Sequence, residues 1–179
     1  MYEWIPKKQN KTAEKMTLLL FGGAAAICFL TVIVPEIPFR WAFQLLALIL
    51  LTAAIFFVSR YRTKGFVYRL IEDGEGKWDL TVTETALGGK RPVTVCRVGL
   101  DGLRSLTVLD LSDGGASLAA WNEIKKKGRK IFDYCPDFRP TESVVAVFSE
   151  GGVEYTLRLA PVEELTAILR RSVSEEAGE

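Results

Sequence analysis

Two apolar runs, residues 16–34 and 41–59, constrain this chain more than any other feature. Each is nineteen residues long, and neither contains Asp, Glu, Lys or Arg. As a helix, such a run spans about 28 Å at about 1.5 Å per residue, close to the roughly 30 Å hydrocarbon thickness of a bilayer. The break between them, Pro35-Glu36-Ile37-Pro38-Phe39-Arg40, carries two prolines and suits a tight reversal. The pattern predicts a transmembrane helical hairpin over residues 16–59. A soluble buried hairpin is disfavoured, because helices apolar all round have no face to offer water. A secretory signal peptide cleaved at Ala24-Ala25-Ala26 is the rival reading. It is disfavoured because the apolar run continues to Val34, so that cleavage would leave a greasy new terminus.

Charge sets the expected orientation. Residues 1–62 hold seven Lys/Arg against three Asp/Glu, a balance of +4, and residues 63–179 hold sixteen against nineteen, a balance of −3. Lys7, Lys8, Lys11 and Lys15 precede the hairpin and Arg60, Arg62 and Lys64 follow it, whereas the intervening turn has Arg40 beside Glu36. Short basic flanks stay on the cytoplasmic side. The chain is therefore expected to be a multi-pass protein of the cytoplasmic membrane, with both termini cytosolic. Trp41 and Tyr61, at opposite ends of the second run, suit the two interfaces.

Gly22 and Ala26 form a small-xxx-small pair in the first run, and Ala47, Ala53 and Ala54 offer a facing surface in the second. Packing of the hairpin on itself is the preferred role of Gly22 and Ala26, and a dimer contact is the other. Gln44, the most polar residue of the two runs, is expected to make one interhelical hydrogen bond. Helices without an ionisable group provide no proton relay or ion path, which argues against a transporter.

Beyond Lys64 the apolar period changes to two. Phe66, Tyr68 and Leu70 alternate with Val67, Arg69 and Ile71, and Trp78, Leu80 and Val82 alternate with Asp79, Thr81 and Thr83. Residues 93–98 and 103–109 read as a third and a fourth strand. Gly-rich reversals at Asp73-Gly74-Glu75-Gly76, Gly88-Gly89 and Gly99-Leu100-Asp101-Gly102 separate the four. Leu118, Trp121 and Ile124 then recur at helical spacing up to Gly128, a suitable residue just past a helix end. Strands resume at 130–134, and 142–149 with 153–159 form a hairpin about Glu150-Gly151-Gly152. Pro161 opens a last helix whose stripe of Val162, Leu165, Ile168 and Leu169 must be buried. The expected divisions are a basic N-terminus (1–15), the hairpin (16–59), an α+β, mainly β domain (60–172) and a disordered acidic tail (173–179).

Four strands, a connection, three strands and a closing amphipathic helix, preceded by a membrane hairpin, resemble the bacterial membrane proteins that carry a cytosolic pleckstrin-homology-like domain. The turn Val98-Gly99-Leu100-Asp101-Gly102-Leu103-Arg104-Ser105-Leu106 is similar to the one between the third and fourth strands of that family. The hairpin-then-helix ending over residues 144–171 is the second point of likeness. The resemblance implies a barrel of two packed antiparallel sheets with the C-terminal helix plugging one open end. It also implies binding or scaffolding rather than catalysis.

With no histidine in the chain, Ser-His, Cys-His and His-ligated metal chemistry are excluded within one copy. Cys28, Cys96 and Cys135 lack CxxC spacing and fit reduced thiols in a cytosolic setting. The Gly-rich turns lack the frames of phosphate cradles. No cofactor, metal, nucleic-acid or small-molecule substrate is expected, and the chain is read as non-enzymatic. Its expected partners are the membrane lipid and a protein, which is either a second protein or another copy. The densest basic cluster, Lys125, Lys126, Lys127, Arg129 and Lys130, is the candidate contact for anionic lipid headgroups. The alternative is a solvated helix end whose lysines complement the macrodipole.

Overall fold

A computed structural model describes the chain apart from residues 35, 37, 75, 87–91, 111, 113–115, 127 and 177–179, and apart from the side chains of 116–118, 175 and 176. The expected turns at Gly88-Gly89 and Gly114-Gly115 lie outside the described residues. The chain divides into two compact units, one made of Asn10–Lys64 with Asp137–Arg139, the other of Met1–Gln9, Gly65–Pro136 and Pro140–Glu179.

The first unit is the helical hairpin. Helix α1 spans Thr12–Ile33 and α2 spans Arg40–Phe57, followed by a wider π-helical turn over Val58–Arg62. Helix α1 starts four residues earlier than the apolar run, because the Asn10 carboxamide oxygen accepts the Thr12 N–H (3.0 Å) and so satisfies one open donor of the first turn. Both helices are long and apolar enough to cross a membrane, yet only 17% and 11% of the residues in their most apolar stretches are buried. They are thus unlike the core helices of a soluble protein, since most of their apolar side chains face outward. The contact between them rests on small groups: Ala24, Thr31, Ala47 and Ala54 are buried. Phe39 takes a left-handed conformation (φ 59°) at the reversal, unusual for a bulky residue. At the other end the Phe138 ring meets Phe57 (4.9 Å) and Tyr61 (5.4 Å) edge-on, and Arg60 lies over the Tyr61 ring.

The second unit holds two four-stranded sheets. The first has the order β1-β2-β3-β4, with β1 at Tyr2–Trp4, β2 at Lys64–Glu72, β3 at Trp78–Ala86 and β4 at Val93–Gly99. The second has the order β5-β7-β8-β6, with β5 at Leu103–Asp110, β6 at Lys130–Asp133, β7 at Glu142–Glu150 and β8 at Val153–Leu159. Helices α3 (Ala116–Lys126) and α4 (Glu163–Glu176) complete it. The inward residues of β2 and β3, among them Phe66, Tyr68, Leu70, Leu80 and Val82, share one core with Val144, Ala146, Phe148, Leu157 and Leu159 of β7 and β8. Leu165 and Leu169 of α4 join that core, as the stripe in the sequence requires. A second, smaller cluster of Leu109, Trp121 and Val145 lies under α3.

Four expectations need correction. The two sheets do not close into a barrel: among the described residues β4 and β6 stand at sheet edges, because the chain leaves the first sheet at the short 3-10 turn Leu100–Gly102 and starts β5 beside β7 rather than β4. The sheets are not wholly antiparallel either, since β6 runs parallel to β8 (Ile131↔Thr156, Phe132↔Leu157). The N-terminus is more than a basic flank. Tyr2–Trp4 pairs antiparallel with β2, with Glu3 opposite Arg69 and the two side chains joined at 2.7 Å. Finally, α4 continues through Glu176, past the expected start of a disordered tail, because Val173 still finds the core to pack against.

Tyr68 shows what the interior demands. Its ring is fully buried, its hydroxyl donates to the Tyr134 carbonyl (3.0 Å), and it accepts the Ala160 N–H (3.0 Å). Tyr68→Phe leaves a buried donor and a carbonyl short of a partner and is expected to cost about 1–3 kcal/mol. Tyr134→Phe, whose hydroxyl reaches the exposed Val95 carbonyl and the half-buried Cys96 thiol, is expected to cost about 1 kcal/mol or less. Denaturant titration of the full chain in detergent separates the two, and equal losses would contradict this assignment.

Candidate functional site

The unclosed sheets leave a seam between the edge strands β4 and β6, and aromatic side chains line it. Tyr134, just past β6, donates from its hydroxyl to the Val95 carbonyl of β4 (3.2 Å), so a side chain stitches what a ladder would have joined. Its ring stacks on Phe132 (6.3 Å between centroids, planes within 3°) and meets Phe66 edge-on at 5.8 Å. Tyr155 of β8 continues the row, edge-on to Phe132 and stacked on Phe148 at 6.0 Å. Cys96 is half-buried beside Tyr134. Burial raises its thiol above the ordinary range, a hydrogen bond with Tyr134 opposes this, and the Glu150 carboxylate adds to the rise. A thiol held protonated is a poor nucleophile.

At one end the seam meets a polar cleft of about 340 Å³, whose lining includes Asp101, Arg104, Ser149, Glu150 and Tyr155. Two glycine turns build it. The turn after β4 comes so close to β7 that a Cβ at Gly102 would stand 2.8 Å from the Ser149 carbonyl oxygen, so only glycine fits without a backbone shift. The turn between β7 and β8 places Gly151 and Gly152 at positive φ (57° and 80°). Tyr155 donates to Glu150 (3.2 Å), and burial, followed by the neighbouring carboxylate, pushes its hydroxyl up to about 12. Two carboxylates, one guanidinium and a neutral phenol give the cleft the means to recognise a polar or charged group through hydrogen bonds.

The basic cluster is less concentrated than its sequence suggests. Lys125 and Lys126 end α3, Gly128 reverses the chain at φ 68°, and Arg129 and Lys130 lead into β6. Arg129 pairs with Glu154 (2.5 Å), Lys125 lies over the Trp121 ring (5.3 Å) and Lys130 over the Phe132 ring (5.0 Å). Lys126 is exposed, and Lys127 lies outside the described residues. Neither do Gly22 and Ala26 pack the hairpin on itself: both are exposed, and a Cβ at Gly22 would meet nothing within 4 Å. Gly23 is the glycine that faces α2, with Leu50 at 3.6 Å from its Cβ position. The expected interhelical hydrogen bond of Gln44 is absent among the described residues. The free cysteines Cys28, Cys96 and Cys135 remain apart as thiols, and no cluster of metal-ligating side chains occurs among the described residues.

Sequence reading located both glycine turns but not their meeting, and it missed Arg104, Glu150 and Tyr155 as neighbours. No local signal links residue 101 to residue 150; the pairing of β5 with β7 does. Unfolded tyrosine ionises near 10 whereas Tyr155 is raised to about 12, so its contribution is fully present below pH 10 and is lost as pH climbs towards 12. Stability of the full chain is expected to fall more steeply across that window than stability of Tyr155→Phe, as measured by urea titration at stepped pH. Parallel curves would count against it. In comparisons with known proteins, no family model and no curated protein matches this chain.

Proposed function

We propose that this chain is a membrane-anchored, non-enzymatic binding module, held by its hairpin in a cell inner membrane with both termini and the two-sheet unit in the cytosol. Its partner is a protein, or another copy of itself. The observation that carries the reading is the pairing of β1 with β2. One of these strands precedes the hairpin and the other follows it. Two strands of one sheet lie on one side of a membrane, so the intervening chain crosses an even number of times. The lysines and arginines flanking the hairpin then favour the cytosol for that side. Two sheets and a C-terminal helix packed on their core support the likeness to pleckstrin-homology-like domains, although the strands do not close a barrel and β6 runs parallel to β8.

The surface best suited to a protein partner is the free edge β4. Val93 and Val95 are 59% and 38% exposed there, and the strand ends at Gly99 on the rim of the polar cleft. An extended segment docked along β4 would meet apolar side chains first and the Asp101, Arg104 and Glu150 charges last. The lipid-surface reading keeps one supporting observation, the exposure of Lys125, Lys126 and Lys130.

Topology and binding are tested separately in the full-length protein. Ile5→Cys and Val153→Cys, both at exposed positions, are expected to react with an impermeant maleimide only after cells are permeabilised. Labelling of either one in intact cells would overturn the orientation. A partner recovered in detergent is expected to be lost at least about tenfold with Val93→Lys/Val95→Lys, since a charge facing an apolar contact costs more than about 1.4 kcal/mol. Unchanged recovery would remove β4 from the reading. Binding to anionic vesicles that disappears when Lys125, Lys126 and Lys130 become Gln would favour the lipid alternative.

A further inference from the structure

Between α1 and α2 the hairpin carries a groove of about 370 Å³, lined by groups that include Ala24, Ala25 and Cys28 of one helix and Gln44, Ala47 and Leu48 of the other. One lining group is out of keeping with the rest. Gln44 is exposed, and its carboxamide makes no hydrogen bond to any described residue. The helical rise sets it about 6 Å along α2 from Arg40, inside the apolar run. A primary amide left unpaired in hydrocarbon is costly. Its neighbours in the groove are methyl groups, aliphatic chains, the Phe21 ring and a thiol, which offer it no strong hydrogen-bond acceptor or donor.

A carboxamide both donates and accepts. Two of them related by a two-fold axis satisfy each other with two N–H to O=C bonds, so one residue type supplies both halves of the contact. A lipid tail would fill the groove but leave the amide unpaired. Alanine at 24, 25 and 47 leaves room for another helix to come close. We propose that the groove is covered by a second copy of this chain, with the two Gln44 side chains hydrogen-bonded to each other within the membrane. The inference rests on the membrane reading of the hairpin. The dimer face it names differs from that of Gly22 and Ala26, neither of which lines the groove.

The experiment uses the full-length protein in membranes. Alkaline carbonate extraction comes first, and release of the chain would overturn the membrane reading itself. In retained protein, copper-phenanthroline oxidation is expected to yield a dimer linked through the native Cys28 and abolished by Cys28→Ser. Energy transfer between labelled copies, followed as lipid is added, is expected to report dimerisation weakened about threefold to thirtyfold by Gln44→Leu and largely kept by Gln44→Asn. Leucine suits both helix and hydrocarbon, so a folding defect does not confound that variant. A membrane-held chain that stays monomeric overturns the inference, as does Gln44→Leu that dimerises like the wild type. Loss of the dimer with Gly22→Leu but not with Gln44→Leu would assign it to the other face and equally overturn the inference.

Discussion

The pairing of a three-residue strand at the N-terminus with β2 ties together the two ends of an apolar hairpin. So short a ladder does not hold by its backbone bonds alone, and the side chains around it explain why it forms. Trp4 packs at the edge of the main core and donates from Nε1 to Glu164 of α4 at 2.7 Å. Tyr2 stacks on Trp4 and leans on Trp78, and Glu3 pairs with Arg69. Five residues later the Gln9 amide takes both sides of the start of β7, donating to the Glu142 carbonyl and accepting from its N–H and from the Thr141 hydroxyl. The N-terminal nine residues are thus a structural part of the domain formed by chain some sixty residues later.

The same economy of side chains governs the seam. Sheets that fail to close leave β4 and β6 at sheet edges among the described residues, and such edges invite further strands. Tyr134 answers part of that demand with one hydroxyl, while its carbonyl accepts from Tyr68 and its N–H donates to the Arg158 carbonyl. The ring row from Phe66 to Phe148 then keeps water from the core where no strand covers it. What stays exposed among the described residues is the outer part of β4 and the charged cleft at its end.

The outer face of the second sheet follows a different logic. Period-two patterning puts Arg158 opposite Val145, on the side away from the main core, where a charged residue ordinarily meets water. Here α3 covers it. Arg158 is only 6% exposed, and its guanidinium lies 4.6 Å from the Trp121 ring centre, 3.5 Å from Asp133 and 3.4 Å from the Ser143 hydroxyl. An aromatic face and a carboxylate together compensate for lost hydration. Of the basic residues at the end of α3 and the start of β6, Lys125 and Lys130 lie over rings and Arg129 pairs with a carboxylate, so a run of charge in sequence becomes several separate contacts.

Local chemistry decides what is legible in one dimension. Two uncharged runs determine a pair of helices long and apolar enough to cross a membrane, because length and apolarity are properties of a contiguous segment. Alternation together with the turn residues between segments located seven of the strands, and one buried stripe located α4, for the same reason. The tertiary structure alone decided that Tyr2–Trp4 is an eighth strand, that β6 runs parallel to β8, that the sheets stay open, and that Asp101, Arg104, Glu150 and Tyr155 share a cleft. It also decided that Gly22 faces away from the helix it was expected to touch, and that Gln44 lines a groove between the helices without a hydrogen-bond partner among the described residues. Each of these depends on which distant surfaces meet, and that choice is made by the summed packing of Tyr68, Phe148, Leu157 and their neighbours rather than by any residue's own preference.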